Sequence, residues 1–183
     1  MSVAGFDATP PSVFETGADP VVVGPREIAA LIRAAKAAPS GRARLLLHPD
    51  RADSLHEMVI ALPPWSCDHP HINFRSGKSF LALSGRFALM RFSEAGEPQG
   101  PVVLSAGPWP GARMVRLRRP TWHTIVPLEG DTVFLETIAG PFTGNRFAPW
   151  FPDASDASRR DEAAERLRLA ARDAAAACVD PDG

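Results

Sequence analysis

Lys78-Ser79-Phe80-Leu81-Ala82-Leu83-Ser84-Gly85-Arg86-Phe87-Ala88-Leu89-Met90-Arg91-Phe92 carries the pattern of β structure. Lys78–Leu83 and Arg86–Phe92 read as two strands, and Ser84-Gly85 between them reads as the turn of a hairpin. The same period extends outward on both sides. Upstream, Ala43–His48 and Leu55–Leu62 are predicted strands. In the second of these, His56, Met58, Ile60 and Leu62 share one face, while Glu57, Val59 and Ala61 share the other. Only one of His56 and Glu57 can therefore point inward. Downstream, Val102–Ser105, Arg113–Leu117, Trp122–Pro127 and Thr132–Ile138 follow, with Glu129-Gly130-Asp131 as the turn between the last two. Many short strands separated by Gly and Pro turns predict a sandwich or a barrel.

The flanks read differently. Residues 1–24 are a tail punctuated by Pro10, Pro11, Gly17 and Pro20, ending in the short β-prone run Val21–Val23. Ile28, Leu31, Ile32 and Ala35 fall at helical spacing behind Pro25, so 25–38 is a short amphipathic helix. Gly140-Pro141-Phe142 and Ala148-Pro149-Trp150-Phe151-Pro152 form an aromatic, proline-rich exit segment. Ser155 or Asp156 then caps an alanine-rich helix running to about Cys178. Its weak apolar stripe suits docking on the barrel or on a second subunit. The expected organisation is a tail (1–24), a domain of 25–152 whose barrel occupies about 42–152, and a helical extension (153–183).

Composition narrows the function classes. Twenty basic and 21 acidic side chains give a net charge of −1, which argues against a nucleic-acid or membrane-surface binder. Two cysteines in unlike contexts, Cys67 and Cys178, predict no disulfide framework and a reducing compartment. The N-terminal stretch holds Asp7, Glu15 and Asp19 and lacks an apolar core, so it does not read as a secretory signal. No apolar run is long enough to span a bilayer. A cytoplasmic protein is the expectation.

The chemistry-bearing residues gather in Asp68-His69-Pro70-His71, answered far downstream by Thr121-Trp122-His123. Two histidines at i and i+2 on an extended segment share a face. A third, folded back beside them, would place three imidazoles inside an apolar β structure, a pattern that suits Zn, Fe, Mn, Ni or Cu.

The order of several segments resembles the cupin superfamily, and more closely its WbuC-type members, found beside bacterial surface-polysaccharide genes. The segments are Arg44-Leu45-Leu46-Leu47-His48-Pro49, His69-Pro70-His71, Lys78–Gly85, Pro120–Pro127, Leu135–Phe142 and Phe147–Trp150. The resemblance covers about 25–152. It implies a mainly β protein, a double-stranded β-helix (cupin/jelly-roll barrel) with a short N-terminal helix and a C-terminal helix, holding a divalent transition metal (Zn, Fe, Mn or Ni) near its centre. It also implies a homodimer. Its ligands would be His69, His71 and His123. Where the family places a ligand Glu, seven residues before Gly85, this chain has Lys78, and Pro120 replaces the expected turn Gly. A protonated ammonium cannot ligate a metal and repels one nearby.

Lys78 thus has two readings: an acid, base or anion anchor, or a space-filling partner of Glu57 or Glu136. Those two carboxylates sit in apolar strand runs, where burial demands a partner, and each is a candidate ligand-binding group. Asn73 and Arg75, in the loop after His71, are candidates for reaching over a barrel mouth, and Trp122 for stacking on a sugar. His48, at a strand end before Pro49, reads as structural. Two functions follow. One is a three-histidine metal protein acting on a sugar, a sugar nucleotide or a sugar-derived anion. The other is a metal-free barrel that binds a carbohydrate or organic anion.

Overall fold

The computed structural model describes residues 7–8, 12–153 and 155–178. Its strands are β1 (Asp7–Ala8), β2 (Val13–Glu15), β3 (Ala43–Leu46), β4 (Leu55–Leu62), β5 (His71–Ile72), β6 (Lys78–Phe92), β7 (Val102–Ser105), β8 (Met114–Arg116), β9 (Trp122–Ala139) and β10 (Arg146–Phe147). Its helices are α1 (Pro25–Ala37) and α2 (Ala157–Ala176).

The hairpin predicted at Ser84-Gly85 does not exist. Lys78–Phe92 is one strand, and so is Trp122–Ala139. The two pair antiparallel along their whole length, from Lys78↔Ile138 to Phe92↔Trp122. They bend together where the register slips, between Ala82 and Phe87. Gly85 (φ +72°) and Gly130 (φ +71°) lie at this bend. A Cβ on Gly85 would stand 2.7 Å from the Asp131 carbonyl oxygen, so the two backbones need that glycine. A left-handed glycine serves a bulge as well as a turn. What converts the turn signal into a bend is the facing strand, which bends at the same level.

Each long strand therefore belongs to two sheets. The first half of β6 and the second half of β9 lie in one sheet with β8, β4, β3 and, parallel to β3, β2. Their other halves lie in a second sheet with β7 and β5, and β5 in turn pairs with β10. The result is a mainly β double-stranded β-helix with an N-terminal and a C-terminal helix.

Strand alternation sorts the core. Ala43 and Leu45 of β3, with Val59 and Ala61 of β4, point outward and pack under Leu31, Ala34 and Ala35 of α1. The residues between them face the barrel interior, where Ile60, Phe80, Ile125 and Phe134 form a second cluster. Helix α1 opens with Pro25 and is held by Glu27, whose carboxylate accepts from the Gly24 amide at 2.9 Å. Helix α2, capped by Asp156, docks on the chain's own barrel through Ala163, Leu167 and Ala171. Arg86 at the strand bend donates to the Ala175 carbonyl near its C-terminal end at 2.9 Å.

The expected tail is only partly a tail. Val13–Glu15 adds a parallel strand beside β3, with β1 paired antiparallel along its other side, and buried Phe14 joins the core under α1. Val21 and Val23 pack on that core without forming a strand. Residues 1–6, 9–11, 154 and 179–183 lie outside the described residues. Among those described, no helix is long and apolar enough to cross a membrane.

Candidate functional site

The interior face of the first sheet opens into a cavity of about 320 Å³. Its lining follows from register. Cross-strand pairing sets Arg44 beside Ile60 and Phe134, and Met58 beside Glu136 and Phe80. Lys78, two residues along β6, faces the same space, and the second sheet contributes His71 and His123 as a direct cross-strand pair. Apolar Ile60, Phe80, Ile125 and Phe134 thus surround a small group of polar side chains.

Lys78 is the centre of that group. It is 3% exposed, and its Nζ lies 3.4 Å from both carboxylate oxygens of Glu136 and 3.5 Å from His71 Nε2. All three contacts exceed the usual 2.7–3.2 Å hydrogen-bond range, so the ammonium is surrounded but not saturated. The imidazole tautomers follow from their other partners. Nδ1 of His71 contacts the His69 carbonyl (3.1 Å), and Nδ1 of His123 contacts the Thr121 carbonyl (2.7 Å). A carbonyl only accepts, so each Nδ1 carries the proton and each Nε2 presents a lone pair. His71 Nε2 faces the ammonium, while His123 Nε2 is buried and has no partner among the described residues. Burial, and then the charge of Lys78, pushes the His71 pKa down to about 4. The same causes, in the same order, hold His123 well below the usual histidine range. Both rings are neutral near pH 7.

His69 has partners of its own, apart from His71 and His123. Its Nε2 lies 3.0 Å from the Ala148 carbonyl, and its ring packs edge-on against Phe147 and Phe151. Strand β5 begins only at His71, so the alternation rule that predicted a shared face does not reach back across Pro70. Among the described residues, no three His, Cys, Asp or Glu side chains are placed to hold a metal ion. An ammonium stands between the remaining donors His71 and Glu136, and its charge opposes a divalent cation there. The side chains present do not fit the metal centre that the resemblance implied.

The other candidates separate cleanly. Glu136 faces the pocket. Glu57 does not: it lies on the opposite face of β4 and accepts from Thr137 Oγ1 at 3.4 Å, while His56 takes the inward position. Asn73 donates to the Gly144 carbonyl and exposed Arg75 to the Pro141 carbonyl, and neither lines the cavity. Trp122 is buried on the far face, against Trp150. His48, read as structural, stacks on His56 at 4.0 Å between ring centroids, and both line the cavity.

Arg44 and Asn145 also face the cavity and were not singled out as candidates from sequence. The alternation Arg42, Arg44, Leu46, His48 was the available signal for the first. Asn145 sits in a loop, where no period could have found it.

A family model described as "Domain of unknown function (DUF6016)" matches residues 24–104, under half of the chain. No curated protein matches. Among solved structures, an oxalate oxidase in complex with the substrate analogue glycolate is similar at 15% identity and TM-score 0.49, over 66% of this chain and 61% of that one. Recombinant oxalate oxidase in complex with glycolate is similar at 14% and 0.48, over 72% and 73%. Lactobacillus farciminis oxalate decarboxylase in its formate complex is similar at 13% and 0.43, over 52% and 27%. The chain thus spans about three-fifths of the first of these proteins. The two-sheet barrel is established by its own strand register, and the ligands of those proteins are theirs.

Proposed function

We propose that the barrel binds a small polyhydroxylated organic acid, of the sugar-acid class, without a metal. The observation that carries this reading is the position of Lys78 Nζ, between the Glu136 carboxylate and the His71 lone pair inside a cavity. Ammonium and carboxylate cancel, so this centre is polar but uncharged overall. Such a centre suits ligand hydroxyls, which accept from Lys78 and donate to Glu136 and to the unpartnered Nε2 of His123. About 320 Å³ falls at the small end of ligand pockets, enough for a six-carbon acid. The apolar walls suit the C–H faces of a sugar chain. A sugar-derived ligand also agrees with the resemblance to cupins found beside surface-polysaccharide genes.

The test is thermal unfolding with D-gluconate, with and without a chelator. The midpoint should rise with ligand concentration and ignore the chelator. The rise should vanish in Lys78→Met, or in Lys78→Met/Glu136→Leu if the single variant does not fold. A second reading rests on the two Nε2 lone pairs of His71 and His123, which would serve as metal donors if Lys78 withdrew. Stabilisation by Zn or Mn in the unmodified protein, abolished by chelator, would replace the first reading with that one.

A further inference from the structure

The pocket contains a second cation in a different state from Lys78. Arg42 is tied to Asp68 at 2.9 Å, and Lys78 is shared between Glu136 and His71. Arg44 lines the same cavity, yet its guanidinium makes no ion pair or hydrogen bond among the described residues. It is half-buried, so it is not simply a solvated surface charge. The remaining charged side chains on the lining, Arg51 and Glu15, are both exposed at the rim and offset each other. The cavity therefore has one inward-facing positive charge in excess; Asp68 and Glu136 act on it from nearby, but each is already paired, with Arg42 and Lys78.

Its position is set by register. Arg44 leaves β3 in the row of Ile60 and Phe134, whereas Lys78 leaves β6 in the row of Ile138. The two side chains start from opposite corners of one sheet and reach into one cavity, with Glu136 in the row between them. We propose that Arg44 is the specificity-determining anchor for the ligand's carboxylate, and that the hydroxylated end of the same ligand lies against Lys78, Glu136 and His123. This assignment rests on the sugar-acid reading above and adds the direction in which the ligand lies. Arginine suits the task because its planar fork meets a carboxylate with two parallel hydrogen bonds. Burial by the surrounding side chains, and then the nearby Arg42, weaken the hold on its proton, which a bound carboxylate would restore.

Calorimetric titration with two probes of equal length decides the matter: D-gluconate, and D-glucitol, its neutral counterpart. The unmodified protein should prefer gluconate. Arg44→Gln should weaken gluconate about ten- to hundredfold and leave glucitol nearly unchanged, so that the preference disappears. Lys78→Met/Glu136→Leu should weaken both probes. If Arg44→Gln keeps the full preference for gluconate, Arg44 is not the anchor, while the sugar-acid reading stands. If neither probe binds the unmodified protein, that reading fails and takes this assignment with it. Arg44→Lys, which keeps the charge and loses the fork, should fall between the two.

Discussion

One sheet separates two unlike interiors. The outer face of β3, β4 and β9 presents Ala43, Leu45, Val59, Ala61 and Val133 to α1 and is dry. The inner face of the same strands presents Arg44, Met58 and Glu136 to a cavity. The residues alternate along the same chain, so secondary structure does not distinguish them. The dry face is held by contact area, which tolerates change in proportion to the atoms removed. The wet face is held by a balance of charges, where one missing partner leaves the other stranded in an apolar wall.

The largest expected effect tests that contrast directly. Lys78→Met leaves the Glu136 carboxylate, 8% exposed, without its counter-charge. It should cost about 3–5 kcal/mol in denaturant unfolding. Lys78→Met/Glu136→Leu removes both charges and should recover most of that loss, because a buried ion pair replaced by apolar groups of similar size is often neutral. A double variant as unstable as the single one would mean that the pair supplies net stability, and the wet face would then behave like the dry one.

A smaller effect comes from pH. Well above pH 6.5 neither the folded nor the unfolded chain protonates His71, and stability is complete. Below 6.5 the unfolded chain binds a proton that the folded chain refuses until about pH 4. Stability is therefore lost as the pH falls through that window, by about 2 kcal/mol between pH 6.5 and 5. His123 is shifted in the same direction and adds to the loss. Urea midpoints at pH 8, 7, 6 and 5 should fall accordingly, and His71→Asn should flatten the curve. Unchanged midpoints from pH 7 to 5 in the unmodified protein would mean that these imidazoles are solvated.

The sequence made the strands legible because alternation is a local signal: Leu55–Leu62 is β4 to the residue. It left the bends illegible, since Gly85 looks the same in a turn and in a bulge, and only the matching bend at Gly130 distinguishes them. The site was half legible. His71 and His123 meet because strands pair them, while His69 turns away because Pro70 interrupts the strand on which the i, i+2 rule depends. Lys78 stood out only as a break in a motif. That its partner is Glu136 and not Glu57 depended on which face of the sheet encloses the cavity, a fact of tertiary closure.

Those two glutamates give the smallest and sharpest comparison. They lie on neighbouring strands at adjacent register, since Met58 pairs with Glu136 and Glu57 with Thr137. One residue of offset puts Glu136 against a buried ammonium and Glu57 on the opposite face, with a single long contact to a threonine hydroxyl. Glu57→Gln keeps an acceptor for that hydroxyl and should change stability by less than about 0.5 kcal/mol. It should also leave the gluconate-induced rise in melting temperature intact. If Glu57→Gln abolished that rise, the carboxylate on the outer face would be part of the ligand site, and the division between a dry and a wet face would fall. An unchanged rise, set against its loss in Lys78→Met/Glu136→Leu, would locate binding on the inner face alone.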